Sequence, residues 1–197
     1  MEFPNTGSRS RSVGGWFISA VSSLLESYGY KYIEIPTLIK KDIIQKCLEN
    51  TNNKAFEVGE TVALLPEATQ YVVSLGKKVG ASKVYYVARC FRDEPSTDKN
   101  RFREFTQIGV EFLGENELDC SRDVRRDAIK LFRYIKGEEG WGLIDGAERG
   151  LNIYVGDKAF EIISDDGVQL LGGGPYRGGA GWAIGLERLM NTGKILL

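Results

Sequence analysis

Apolar residues recur every three or four positions in several stretches of the chain, which is the spacing of an amphipathic helix. Gly29 is placed where glycine commonly ends a helix, and residues 66–69, Pro-Glu-Ala-Thr, are suited to begin one. The helices predicted in this way cover residues 16–28, 70–76, 119–135 and 186–190.

Other stretches alternate apolar and polar residues and are rich in valine, isoleucine and aromatic residues, as strands are. The strands predicted from this pattern cover residues 30–36, 62–65, 83–90, 102–113, 151–155, 159–163 and 168–171. The strands 83–90 and 102–113 flank a polar turn and should form a long antiparallel hairpin. Because helices stand between blocks of strands, we predict an α+β fold, with a mainly antiparallel sheet flanked by helices.

The length and composition of the chain fit one globular domain of ordinary size. Its 197 residues are 42% hydrophobic and 27% charged. The first residues are polar and lack a hydrophobic period, so we expect a flexible arm over residues 1–14 and a folded domain over residues 15–197.

Charge and hydropathy narrow the function classes. With 26 basic and 27 acidic residues, the chain has no overall positive field for polyanions, so any phosphate recognition must be local. No apolar run approaches the roughly 20 residues that cross a bilayer, and the segment Met-Glu-Phe-Pro at the start is no secretory signal. A cytoplasmic protein is therefore expected.

Cysteine and histidine usage removes several mechanisms. The three cysteines, Cys47, Cys90 and Cys120, are widely spaced, and the chain contains no histidine. This pattern excludes a disulfide scaffold, a zinc finger and any catalysis by a histidine base. Chemistry must therefore depend on arginine, lysine, carboxylates, hydroxyls, backbone amides or an oxygen-bound metal.

The predicted hairpin places arginines on both sides of one polar loop. Arg92 follows its first strand, and Arg101 and Arg103 open its second. The planar guanidinium group suits phosphate oxygens and stacking on a flat ring. The alternative is an ordinary hairpin whose arginines and glutamates form cross-strand ion pairs.

A second candidate lies near the end of the chain, where residues 172–185 include seven glycines in fourteen positions. Such a density indicates backbone that turns sharply or comes close to a ligand, which Arg188 would then face. A flexible linker is the alternative, but Tyr176, Trp182 and Ile184 argue against it. A nucleotide P-loop is excluded because its GxxxxGK[ST] pattern is missing.

Three segments resemble the three signature motifs of the class II aminoacyl-tRNA synthetases, in the family's order. Residues 28–36, ending in proline, resemble motif 1. Residues 91–94 (FRDE) with 101–105 (RFREF) resemble motif 2, and residues 181–189 (GWAIGLERL) resemble motif 3. The resemblance covers most of the chain and implies the catalytic domain of that family.

Within the class, four further segments are most similar to histidyl-tRNA synthetases. They are LPEAT at 65–69, FTQIGVE at 105–111, RGLNIY at 149–154 and GGPYRG at 173–178. The start of motif 2, residues 88–94, also resembles the aspartyl and lysyl subgroup. The histidyl pattern is altered at five positions, which implies a reshaped side-chain pocket: Ala68, Asn152, Ile153, Pro175 and Arg177.

The resemblance implies ATP and Mg²⁺ as cofactors and assigns the nucleotide-binding residues. Arg92 would hold the α-phosphate, and Glu94 the adenine amino group. Phe105 and Arg188 would enclose the adenine ring, while Arg103 and Arg188 would lie near the γ-phosphate. No side chain is assigned to a metal.

The resemblance also assigns the amino-acid site. The residues that would bind the α-ammonium group are Glu67, Thr69 and Gln107. The residues that would surround an imidazole are Glu111, Tyr154 and Tyr176. Arg149 would contact the carboxylate and the α-phosphate as the electrophilic catalyst, which makes Arg92, Arg149 and Arg188 the catalytic set. No general base is needed, because the attacking carboxylate is already ionised at neutral pH.

Glu111 is the residue that we expect to select the amino-acid side chain. It follows Gln107 by four positions on a strand, so both should lie on one face of the sheet. In the alternative, Glu111 pairs with Arg89 or Arg177 and is indifferent to the ligand.

The activity that this pattern predicts is ATP-dependent formation of an aminoacyl-adenylate, with histidine as the first candidate. Transfer to tRNA is the family's second step, although we find neither the insertion nor the anticodon-binding domain of histidyl-tRNA synthetases. The alternatives are a regulatory paralogue that binds histidine or nucleotide without catalysis, and a ligase with another acceptor. We also expect a homodimer that forms through the motif 1 segment, residues 16–36. We expect no association with membranes.

Overall fold

The computed structural model describes residues 8–48, 55–79, 82–95, 97–98, 100–147, 154–155, 158–192 and 195–197. The described helices are α1 (Ser8–Ser27), α2 (Lys41–Leu48), α3 (Thr69–Leu75), α4 (Glu117–Lys136) and α5 (Leu186–Met190). The described strands are β1 (Lys31–Tyr32), β2 (Leu38–Lys40), β3 (Glu57–Val58), β4 (Val62–Leu64), β5 (Lys83–Phe91), β6 (Glu104–Leu113), β7 (Trp141–Asp145), β8 (Phe160–Ser164), β9 (Gln169–Tyr176) and β10 (Gly179–Gly185).

Seven strands form the main sheet, in the order β1-β5-β6-β10-β9-β8-β7. β1 pairs with β5 in parallel, and the neighbours from β5 to β7 are antiparallel. A smaller sheet has the order β2-β4-β3. The predicted α+β fold with a mainly antiparallel sheet is therefore confirmed.

One face of the main sheet is covered by α1 and α4. Apolar side chains of both helices, such as Phe17 and Phe132, pack with Ile108, Val110 and Trp182 of the central strands. The ends of α4 match its dipole, because Glu117 and Asp119 lie in its first turn and Arg133 and Lys136 in its last. The apolar contacts of this layer hold the two helices against the sheet.

The opposite face of the main sheet is less densely covered and carries the polar residues of interest. Val84, Tyr86, Ala88 and Cys90 of β5 pack there in a second core cluster with residues of α3 and the small sheet. Because side chains alternate along a strand, Phe105, Gln107 and Glu111 of β6 point to this face as well. The regular register of β5 and β6 keeps these positions aligned.

Several elements differ from the prediction. α1 begins at Ser8, inside the segment expected to be an arm, because serine and arginine add little cost to a helix even without a hydrophobic period. The arm over residues 1–7 lies outside the described residues, and the domain boundary stays a prediction. The short elements α2 and β7 were not predicted, since a pattern of one or two turns or strand periods is weak without tertiary contacts.

The predicted strand 151–155 lies largely outside the described residues, although Tyr154 forms an isolated bridge with Tyr176. The glycine-rich segment is not a linker, because it contributes two paired strands, β9 and β10. Among the described helices, none has the length and apolar character that spanning a membrane requires.

Candidate active site

An open pocket with a cavity volume of about 120 Å³ lies where the β5–β6 hairpin, β9, β10 and the start of α5 meet. It is lined by Arg92, Glu94, Asn100, Arg101, Phe102, Phe105, Gln107, Gln169, Leu170, Gly172, Ala183, Gly185, Glu187 and Arg188. The two regions singled out in the sequence, the arginine hairpin and the glycine-rich segment, thus form one site.

Arg92 and Arg103 are held by carbonyl groups of the backbone. Arg92 donates from Nε to the Pro66 carbonyl at 3.0 Å, and its guanidinium carbon lies 5.0 Å from the centre of the Phe105 ring. Arg103 donates from Nε to the Glu94 carbonyl at 3.0 Å. Neutral acceptors orient these guanidinium groups without cancelling their charge.

One pair of residues in the hairpin forms the cross-strand ion pair that the alternative interpretation of the sequence predicts. It joins Arg89 and Glu104, whose charged atoms are 3.4 Å apart. Among the residues that the structure describes, no carboxylate pairs with Arg92, Arg101 or Arg188. The pocket therefore brings together guanidinium groups that form no direct ion pair in the described chain, although Glu94 and Asp98 act on Arg188, and Arg92 acts on Glu67, at longer range.

Arg188 reaches this pocket from the short helix α5. It donates from Nε to the Asn100 carbonyl at 3.0 Å and from Nη1 to the backbone and side-chain oxygens of Gln169 at 3.1 and 3.2 Å. Burial lowers the pKa of Arg188, and the nearby charges of Arg92 and Arg101 lower it further. The charges of Asp98 and Glu94 oppose this change, but the repulsion among the arginines favours a ligand with negative charge.

Glu187 fixes the start of α5 against the sheet. Both of its carboxylate oxygens accept from the Thr106 backbone N–H, at 2.9 and 2.8 Å. Sequence reasoning did not select Glu187, Asn100 or Gln169. Their roles arise from contacts between residues 81, 88 and 19 positions apart, which no local motif reveals.

A second, deeper cluster lies beside the pocket and is acidic. Glu67 accepts from the backbone N–H groups of Thr69 and Gln70 at 2.9 and 3.0 Å. Glu111 accepts from the Thr69 hydroxyl at 2.8 Å and from the Tyr176 hydroxyl at 2.7 Å. Four of the predicted amino-acid-binding residues are thereby brought together.

The structure rules out the alternative partners of Glu111. Arg177 is exposed to solvent, and Arg89 pairs with Glu104. Glu111 itself is fully buried, and burial raises its pKa to about 8, although the hydroxyls of Tyr176 and Thr69 oppose this change. The carboxyl group is therefore a buried polar centre of the site.

Gly181 makes room for Glu111. The two residues are paired across β10 and β6, and a Cβ atom built on Gly181 would lie 1.8 Å from Oε2 of Glu111. Part of the glycine density in this segment therefore leaves room for protein side chains that approach the backbone. Two other glycines of the segment, Gly172 and Gly185, line the pocket.

Tyr86 is a member of the deep cluster that sequence reasoning missed. It is fully buried, its ring covers the paired residue Gly109, and its hydroxyl group lies next to Thr69 and Glu111. Burial raises its pKa well above the usual value, and the charges of Glu111 and Glu67 add to this effect. A glycine inside a strand pattern was the available signal for a close neighbour.

The remaining predicted residues link the two regions or lie outside them. Gln107 lines the arginine pocket, and its Oε1 accepts from the Cys90 thiol at 3.2 Å. Tyr154 is adjacent to Tyr176 through their bridge. Arg149 lies outside the described residues. Among the described side chains, no group of three His, Cys, Asp or Glu could hold a metal ion.

Glu111→Gln is expected to weaken the dependence of stability on pH. The folded protein retains a proton on Glu111 up to a pKa of about 8, whereas the unfolded chain releases it near 4.5. The native state therefore loses stability as the pH rises through this interval. Burial also raises the pKa of Glu67, which leaves a residual slope in the variant. Thermal unfolding from about pH 5 to 8 measures both slopes, and equal slopes would contradict a protonated Glu111.

Residues 13–139 match the family model described as tRNA synthetases class II (D, K and N). The chain is 31% identical over 180 residues to the histidine–tRNA ligase of Alkalilimnicola ehrlichii, covering 81% of this chain and 42% of that protein. It is 28% identical over 171 residues to the histidine–tRNA ligase of Pyrococcus abyssi, covering 80% and 35%. The chain spans between 27% and 42% of the length of such curated relatives.

Two solved structures have the same fold. Apo histidyl-tRNA synthetase of S. aureus gives a TM-score of 0.71 at 21% identity, with 96% of this chain and 69% of that chain covered. The pyrrolysyl tRNA synthetase PylSc of Desulfitobacterium hafniense gives 0.68 at 19% identity, with coverage of 86% and 62%.

Proposed function

Because the chain belongs to the class II tRNA synthetase family, we propose that it activates an amino acid with ATP, forming an aminoacyl-adenylate and pyrophosphate. The observation that carries this proposal is the position of an arginine-lined pocket beside a buried cluster of hydrogen-bonding groups. A pocket with unpaired arginines adjoins a buried cluster of carboxylates and hydroxyls. The first suits a triphosphate and the second a cationic ammonium group with a polar side chain.

ATP is proposed to enter the arginine pocket, carrying Mg²⁺ on its phosphates. Arg92 would bind the α-phosphate, and Arg103 with Arg188 the γ-phosphate. Phe105 offers a flat apolar surface for adenine, and Glu94 an acceptor for its amino group. Arg92 now covers the Phe105 ring, so binding of adenine there would require this side chain to turn toward the phosphates.

The amino acid is proposed to lie in the acidic cluster. Glu67, Thr69 and Gln107 would bind its α-ammonium group, and Glu111 with Tyr154 and Tyr176 would contact the side chain. A site built around buried hydrogen-bonding groups rejects ligands that lack the matching groups, because those groups would stay unpaired. Histidine is the first candidate, since an imidazole N–H can donate to Glu111.

The reaction needs charge stabilisation more than proton transfer. The carboxylate of the amino acid attacks the α-phosphorus, the bond to the β-phosphate oxygen breaks, and pyrophosphate leaves. Negative charge on the α-phosphate oxygens rises during this step, and Arg92 is held where it can oppose that charge. Arg149 is proposed as the second electrophilic residue on the basis of its motif alone.

ATP–pyrophosphate exchange with each of the twenty amino acids tests the proposal. We expect exchange with one amino acid, histidine first, and loss of the preference for it in Glu111→Gln. No exchange with any amino acid would contradict adenylation and favour the regulatory alternative. The unpaired arginines favour the enzyme, because a sensor of an amino acid alone has no use for triphosphate contacts. Transfer to tRNA, or to another acceptor, would follow as a second step, and a cytoplasmic location stays a prediction.

A homodimer through the motif 1 segment is also proposed. Two large hydrophobic side chains of this segment are about half exposed, Trp16 at 53% and Tyr32 at 53%, and so is Leu38 just after it, at 54%. Burial of such groups against a second copy would stabilise the assembly. We expect light scattering to give the mass of a dimer at micromolar concentration, and Trp16→Glu to give a monomer. A monomeric wild type would contradict the proposal.

A further inference from the structure

An irregularity in the main sheet brings Gln169 to the arginine pocket. In the pairing of β8 with β9, Ile162 lies opposite Leu171 but Ile163 lies opposite Gln169, so that Leu170 has no partner on β8. Leu170 and Leu171 both pack in the main hydrophobic core, and Gln169 lines the pocket as Gly172 does. Bulges that redirect a side chain in this way are common beside active sites.

Gln169 occupies one end of the Arg188 guanidinium group. A guanidinium carries five N–H donors, of which two lie on each terminal nitrogen. Arg188 Nη1 donates to the backbone oxygen of Gln169 at 3.1 Å and to its Oε1 at 3.2 Å, while Nε donates to Asn100 at 3.0 Å. These contacts define the plane of the group, and they leave the two N–H donors of Nη2 directed away from Gln169.

The Gln169 side-chain oxygen that accepts from Arg188 is uncharged, and this affects how much of the Arg188 charge a ligand can use. Arg92 and Arg101 already act on Arg188 by repulsion, which the charges of Asp98 and Glu94 partly offset. A carboxylate at position 169 would relieve that repulsion but would commit the positive charge to an ion pair. An amide oxygen orients the guanidinium and leaves the charge available.

Glu161 holds Gln169 in turn. The Gln169 amide nitrogen donates to Oε1 of Glu161 on the neighbouring strand. This contact assigns the amide so that its oxygen faces Arg188, which is the orientation the guanidinium requires. Glu161, Gln169 and Arg188 therefore form a chain from the sheet to the pocket.

We propose that Gln169 is a positioning residue for nucleotide binding, which fixes Arg188 through a neutral acceptor and keeps its charge free for the phosphates of ATP. The inference rests on the proposed function for the identity of the ligand, but its test requires binding only. Gln169 does not contact the reacting atoms in this scheme and acts through Arg188.

Calorimetric titration of MgATP and of adenosine into the full chain distinguishes a loss of phosphate binding from a change in the shape of the pocket. Gln169→Glu keeps the size and the acceptor but adds a charge, so we expect MgATP affinity to fall about tenfold or more. Adenosine affinity should change less than about threefold, because adenosine has no phosphate for Arg188 to meet. Gln169→Leu removes the side-chain acceptor, and MgATP affinity should fall roughly three- to tenfold. Ser82→Glu adds the same charge at an exposed position at the other end of β5 from Arg92, and as the matched control it should bind MgATP as the wild type does.

Two outcomes would overturn the inference in a chain that binds MgATP. The first is wild-type MgATP affinity in Gln169→Glu or Gln169→Leu, and the second is equal weakening of MgATP and adenosine in Gln169→Glu. A wild type that binds MgATP but exchanges no pyrophosphate would overturn adenylation and leave this test decisive for Gln169. A wild type without MgATP affinity would overturn both.

Discussion

Arg92→Ala is expected to lower the rate of ATP–pyrophosphate exchange by about a hundred- to a thousandfold, the usual effect of removing one preorganised donor at a charge that develops in the transition state. The Nε contact with Pro66 at 3.0 Å holds the side chain at the pocket before any ligand arrives. The charge of Arg92 acts on the nearby Glu67 carboxyl group, but within the described residues Arg92 forms no direct ion pair. Amino-acid binding should change far less than the rate.

Arg89→Ala is the matched control on the same strand. Arg89 is about half exposed, with 48% of its side chain accessible, and it pairs with Glu104 at 3.4 Å. Exposed pairs of this kind contribute about 0–1 kcal/mol, so exchange and stability should stay close to the wild-type values. Equal rates for Arg92→Ala and Arg89→Ala, measured on folded proteins, would assign Arg92 a structural role.

Gly181→Ala is expected to abolish exchange and to destabilise the fold. A Cβ atom at this position would lie 1.8 Å from Oε2 of Glu111 and 2.5 Å from the backbone oxygen of Val110. The Val110 oxygen belongs to a paired strand and cannot move freely, so the Glu111 carboxyl group must leave its contacts with Tyr176 and Thr69. Overpacking in a core costs about 1–3 kcal/mol, and the lost hydrogen bonds of buried groups add to it.

Gly142→Ala provides the control for this second change. Gly142 also lies in a strand, β7, but a Cβ atom there would meet nothing within 4 Å. The substitution should therefore leave activity unchanged and shift stability by less than about 1 kcal/mol. Thermal unfolding and exchange assays measure both variants, and an active Gly181→Ala protein would show that Glu111 need not occupy its present position.

The sequence alone was sufficient for the fold class and for most central elements. The strands predicted at 83–90 and 102–113 correspond to β5 and β6, and the helix predicted at 119–135 corresponds to α4. Their hydrophobic periods are long, so the local pattern and the tertiary environment agree. The family motifs likewise selected Arg92 and Arg188, which line one pocket, and Glu111, which lies in the buried cluster beside it, whereas their predicted roles in binding stay predictions.

The short elements and those at the edges of the sheet could not be predicted from the hydrophobic pattern of the sequence. α2 has eight residues and β7 has five, and such lengths carry too few periods to decide between helix, strand and loop. The role of the glycine-rich segment was recognised, but its pairing as β9 and β10 was not. Those strands are specified by neighbours such as Glu111 that need the space of a missing side chain.

The partners of the site residues were decided by the tertiary structure alone. The sequence left open whether Glu111 meets an arginine, and the fold gives it the hydroxyls of Thr69 and Tyr176, 42 and 65 positions away. The contact of Arg188 with Gln169 depends on a bulge in β9, which has no signature in composition or period. Local patterns determine which faces of strands and helices are buried, whereas the hydrogen-bond partner of a buried polar group depends on which distant strands the sheet places side by side.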